Sequence, residues 1–113
     1  MGEVKYYDKL VRDKVPEIIR EQGKEVVIEK ADEEEYVEYL KKKLIEEVSE
    51  FINEDNLEEL VDIREVLAYL EVFYIESGVD VHTFQVHKRR EKGGFGEGFV
   101  LKEVKEKDEK IKN

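Results

Sequence analysis

Four acids carry the chemistry open to this sequence: Glu47, Glu50, Glu59 and Asp62. They read as E-x-x-E, a break at Asn53-Glu54-Asp55-Asn56, then E-x-x-D. On a helix, side chains at i and i+3 are neighbours, with Cβ atoms about 5–6 Å apart. The two pairs are mirror images about the middle of the break, so an antiparallel hairpin sets Glu47 level with Asp62 and Glu50 level with Glu59. An isolated ionised acid is costly to bury, and four at one level require a cation. Hard oxygen donors suit Mg²⁺ or Mn²⁺, and Mg²⁺ commonly keeps coordination positions for water and phosphate oxygens. The pattern points to a metal site that receives a phosphorylated substrate. Taken singly, each pair has a plainer explanation. Helix starts are rich in acids, and Asn56 followed by Glu59 fits a cap in which Glu59 reaches back to the backbone N–H of Asn56.

Two long helices must position these acids. Asp32 with Glu35 makes a capping box that opens a helix over about 33–53, and Asn56 opens a second over about 57–76. At 100° per residue, Val37, Leu40, Val48 and Phe51 fall within about 40° of Leu44, and Glu47 borders that stripe at about 60°. Glu50 lies about 60° further round, whereas Glu46 is nearly opposite and is expected to be solvated. On the second helix Leu60, Val66, Leu67, Leu70 and Tyr74 cluster within about 60° of Ile63, with Glu59 among them and Asp62 at the edge. A further apolar stripe, Leu57, Val61, Ala68, Val72 and Ile75, occupies the far side of this helix. A helix apolar on two faces is buried on two faces. The expected solution is a homodimer or a dimer of dimers.

The flanking segments carry the cations. Tyr6 to Gln22 holds Lys9, Arg12 and Lys14, with Pro16 and Gly23 framing a short helix at about 16–22. Gly78 ends the second long helix, and Asp80 caps a further one over about 81–92 that bears Lys88 and Arg89. The glycine-rich run Gly93-Gly94-Phe95 follows, where backbone N–H groups can approach an anion. Phe95 is a base-stacking candidate, although aromatics in such loops more often anchor the loop to the core. Val26-Val27-Ile28 and Phe99-Val100-Leu101 are candidate short strands that could pair. His82 and His87, spaced i, i+5, do not have the spacing of a helical metal pair, and neither is assigned to the metal.

The motifs also carry a resemblance. Glu46-Glu47-Val48-Ser49-Glu50 with Glu59-Leu60-Val61-Asp62 resembles the signature of the MazG-like, all-α nucleoside triphosphate pyrophosphohydrolases. The opening Tyr7-Asp8-Lys9-Leu10-Val11-Arg12-Asp13-Lys14-Val15-Pro16 and the later Lys88-Arg89-Arg90-Glu91-Lys92-Gly93-Gly94-Phe95 look like a subgroup related to phosphoribosyl-ATP pyrophosphohydrolase. The spacer of eight residues between the acidic motifs is shorter than is usual in the wider family. The resemblance implies house-cleaning hydrolysis of a nucleoside triphosphate, including noncanonical ones, between the α and β phosphates. Glu47, Glu50, Glu59 and Asp62 would serve as metal ligands and catalytic acids, with one of them orienting the attacking water. Lys9, Arg12, Lys14, Lys88, Arg89, Gly93, Gly94 and Phe95 would bind substrate. Two alternatives compete: a phosphoribosyl-ATP pyrophosphohydrolase of histidine biosynthesis, and a non-catalytic helical dimer or metal-responsive interaction module.

Composition bounds the rest. With 113 residues the chain is expected to form one domain over 1–104, followed by a charged tail at 105–113 that is disordered or frayed. A net charge of −10 argues against nonspecific binding to nucleic acid or anionic membrane. Without cysteine there is no disulfide framework or thiolate site, and no apolar run reaches the length of a membrane span. A cytoplasmic location is the default expectation. Charged residues make up 44% of the chain, with abundant Glu and Lys, a bias that resembles hyperthermophile proteins. The expected fold is all-α: an antiparallel helical hairpin with shorter flanking helices assembling into a bundle, with room for one small two-stranded β element.

Overall fold

Four helices form among the described residues, three of them where capping side chains place their starts. In the computed structural model, which describes residues 2–107, they are α1 (Val15–Glu21), α2 (Glu33–Glu54), α3 (Leu57–Glu76) and α4 (Val81–Lys92). The chain divides into two compact units, Met1–Val79 and Asp80–Asn113, each described by itself below.

In the first unit, the Asp32 side chain accepts from the Glu35 N–H while the Glu35 carboxylate accepts from the Asp32 N–H, closing the capping box at the start of α2. The helix ends on Asp55, in the left-handed region at φ 50°, whose N–H returns to the Phe51 carbonyl. Asn56 then caps α3 through the Glu59 N–H. Only these two residues separate the long helices, so α3 must fold back antiparallel along α2, and the two pack together. The mirror register holds at the open end, where the rings of Tyr36 and Phe73, equidistant from the turn, lie 5.9 Å apart in a tilted pair. Leu40 and Val66 form the buried apolar core among the described residues, at 2% and 8% exposure.

Ahead of α1 the N-terminal segment carries no regular structure and lies along the hairpin. Tyr39 donates to Asp8, Lys9 approaches Glu46 at 3.4 Å, and Arg12 binds Asp62 at 2.7 Å. Pro16 stands in the first turn of α1, and Gly23, at φ 80°, follows its end.

In the second unit, Asp80 caps α4 by accepting from the Thr83 N–H. Gly93, at φ 83°, ends it by donating to the Arg89 carbonyl. Among the described residues there is no strand, which corrects the expectation of a small β element. Val26-Val27-Ile28 and Phe99-Val100-Leu101 each offer too few ladder bonds to hold a strand alone, and all but Val26 of these six side chains are exposed. Residues 105–107 are irregular, and the rest of the expected frayed tail, 108–113, lies outside the described residues.

Candidate metal centre

The fold brings Glu47, Glu50 and Glu59 together: one carboxylate oxygen from each lies within 4.8 Å of the others. Two come from α2 and one from α3, so the cluster depends on the two-residue turn that sets the register. Oxygens on opposite sides of one ion are about 4.2 Å apart for Mg²⁺ and up to about 5.2 Å for Ca²⁺. The three carboxylates are thus within small side-chain rotations of a common ligand sphere.

Glu47 is the best shielded, at 6% exposure. Its Oε1 lies 3.4 Å from the ammonium of Lys43, one turn earlier on α2, while its Oε2 is buried with no hydrogen-bond partner. The Oε2 of Glu59 is likewise buried and unpartnered. The Asn56 cap is one-sided, so the Glu59 carboxylate is not spent on the helix start and joins the cluster instead. Buried carboxylate oxygens without donors are expensive, and two in one all-oxygen cluster fit a hard cation.

The electrostatics agree. Loss of water is the main force raising the Glu47 carboxyl above the ordinary value; Lys43 opposes it, and the charges of Glu50 and Asp62 add to it. Glu59 is pushed up to about 7, first by removal from water, then by a hydrogen bond with Glu50, and then by the charges of Glu50, Glu47 and Asp62. Like charges held together at the turn raise each other's affinity for a proton or a metal.

Asp62 stands beside the cluster but outside the closely spaced set, bound to Arg12. Glu46, expected in solvent, is half-covered because Lys9 and Lys43 each approach one of its oxygens at 3.4 Å. Helical phasing alone could not foresee the N-terminal segment on that side. Lys43 is the residue that the motifs missed; its position four before Glu47 was the available signal.

Of the expected phosphate-binding cations, Arg12 stands beside the cluster through Asp62. Lys9 pairs with Glu46 and lies 5.6 Å from the Tyr7 ring centroid, and Lys14 is exposed at the start of α1. Within the second unit Lys88 and Arg89 are exposed on α4, and Gly93, Gly94 and Phe95 line a depression of ≈ 650 Å³. Phe95 is fully exposed and is no anchor to a core. His87 approaches Glu91 at 3.1 Å on the same helix.

No family model, curated protein or solved structure matches this chain. No helix is long and apolar enough to cross a membrane among the described residues.

Proposed function

We propose that the chain is a Mg²⁺-dependent nucleotide pyrophosphohydrolase, cleaving a nucleoside triphosphate between the α and β phosphates to a monophosphate and pyrophosphate. The observation that carries this reading is the partly buried carboxylate cluster, with unpartnered buried oxygens on Glu47 and Glu59. The resemblance of the acidic motifs to the MazG-like enzymes supplies the reaction class. Glu47, Glu50 and Glu59 would hold the ion, with Asp62 at its edge. When bound, Mg²⁺ supplies charge neutralisation on the polyphosphate and acidifies water.

The chain's own residues do the rest. Lys43 holds one oxygen of Glu47 and leaves the other without a partner. Glu59, pushed up to about 7 without metal, would bind the ion in competition with a proton near neutral pH. Arg12, already beside Asp62, offers a fork-shaped donor for phosphate oxygens. Attack by water requires no side-chain nucleophile. The test is product release from a panel of canonical and noncanonical triphosphates and phosphoribosyl-ATP, with Mg²⁺ and with chelator. Pyrophosphate released only with Mg²⁺ is expected; orthophosphate as first product would overturn the assignment.

A further inference from the structure

The cations around the carboxylate cluster are held in different ways. Lys43 meets Glu47 where both side chains are largely covered, and that pair is a fixed part of α2. Lys9 serves Glu46, outside the cluster. Arg12 meets Asp62 in the open, with the two side chains 53% and 34% exposed. Its bond from Nη2 to Oδ1 is the one hydrogen bond that the guanidinium makes among the described residues. A guanidinium carries five N–H donors, so four remain for another acceptor. An exposed ion pair is held weakly.

Asp62 is the acid that this pair occupies. It lies three residues after Glu59 on α3, within reach of the same face. Its charge is felt at both Glu47 and Glu59, yet it stands outside the closely spaced set of three. The buried, unpartnered oxygens of Glu47 and Glu59 mark where a cation fits. Arg12 is anchored through its backbone, its carbonyl accepting from the Val15 N–H at 3.0 Å in the turn that leads into α1. Asp8 with Tyr39 and Lys9 with Glu46 hold the preceding residues along α2. The segment can therefore stay in place while the Arg12 side chain swings.

We propose that Arg12 is a positioning residue that holds Asp62 in reserve, and that an anionic polyphosphate draws the guanidinium away and releases Asp62 to the metal ion. This regulation rests on the metal-site reading given above. A phosphate group offers the fork of a guanidinium two parallel acceptors and more charge than one carboxylate. Once phosphate takes Arg12, Asp62 loses its counter-charge beside three other acids, and a hard divalent cation is the partner that suits its oxygens. Ion and polyphosphate then strengthen each other's binding by the same factor in each direction. The empty site binds the ion weakly, and the site holding substrate binds it tightly.

Titration of Mn²⁺ into the full chain without nucleotide, followed by electron paramagnetic resonance and competed with Mg²⁺, tests this in a double-variant cycle. Arg12→Gln frees Asp62 in advance and should tighten Mn²⁺ binding about tenfold, within the usual range of coupling between sites. The same change made on top of Asp62→Asn should have little effect. Lys9→Gln removes an equal charge from the same segment without freeing Asp62, and it too should change the affinity little. Unchanged or weaker binding in Arg12→Gln overturns the proposal. An equal gain in Lys9→Gln, or with Asp62 already replaced, overturns it as well, because charge acting through space would then account for the effect. If no variant binds Mn²⁺, the proposal falls together with the metal-dependent reading. If the cycle behaves as expected but no pyrophosphate is released from any triphosphate, the reserve ligand stands and only the reaction falls.

Discussion

Arg12 donates to a carboxylate oxygen of Asp62 across 2.7 Å, tying the irregular N-terminal segment to the third helix 50 residues away. Both side chains are partly exposed, so the pair contributes on the order of 1 kcal/mol or less to stability. Its value is positional: it keeps a guanidinium next to the carboxylate cluster. Arg12→Gln should therefore shift the urea midpoint little while raising KM for a triphosphate more than it lowers kcat. A large loss of stability with unchanged KM would make Arg12 a structural tether only.

Glu47→Gln and Glu59→Gln should each lower pyrophosphate release by about a hundredfold or more, on the scale of losing one charge-stabilising group in an active site. Glu46→Gln should retain most of the activity, because its oxygens serve Lys9 and Lys43 outside the cluster. Equal losses in all three variants would contradict the assignment of the cluster.

The raised carboxyls give a signed pH dependence. In the metal-free protein, Glu59 holds its proton up to about 7 when folded, against a usual value of 4.5. Glu47 shifts in the same direction. The folded state thus binds more protons, and stability falls as pH rises through that interval, with the full penalty present above it. Mg²⁺ should reverse this at neutral pH, adding about 2.7 kcal/mol at a hundred times its dissociation constant. The Glu47→Gln, Glu59→Gln double variant should melt higher than the unmodified protein without metal and respond weakly to Mg²⁺. Calorimetry across pH 4–8 checks both; an equal gain from Mg²⁺ in the two proteins would indicate general charge screening.

Asp55 sits in the left-handed region that favours glycine. Asp55→Gly should raise stability by up to about 1 kcal/mol, the relief of backbone strain being partly offset by glycine's greater freedom when unfolded. Chemical denaturation measures it, and a loss of stability would show that the aspartate makes a compensating contribution to the turn.

The local parts of this fold were legible in the sequence. Asp32 with Glu35, Asn56 and Asp80 mark three helix starts because a cap is decided within four residues, and the symmetric spacing of the acids carries the hairpin register. The facing of α3 was less legible. Leu60, Leu67 and Tyr74 belong to the richest apolar stripe yet are exposed, while Glu59, Val66 and Phe73 turn toward α2. A helix apolar nearly all round gives hydropathy no single direction, and the choice falls to long-range packing. Lys43 beside Glu47, and the N-terminal segment over Glu46, are tertiary relationships of the same kind. The β-branched runs misled because strand propensity acts only where a neighbouring strand supplies the ladder.

The hairpin is also unequal along its length. Its apolar contacts, Leu40, Val66 and the Tyr36–Phe73 ring pair, lie toward the open end and the middle, while the mutually repelling carboxylates sit beside the turn. The covalent connection therefore joins the helices where their side chains least favour each other. Amide hydrogen exchange should follow that gradient, fastest around residues 50–60 and slowest near Leu40 and Val66, with local openings that begin at the turn rather than at the free ends. A divalent ion bridging the two helices would act as a clasp there, and would slow exchange at the turn far more than at the open end.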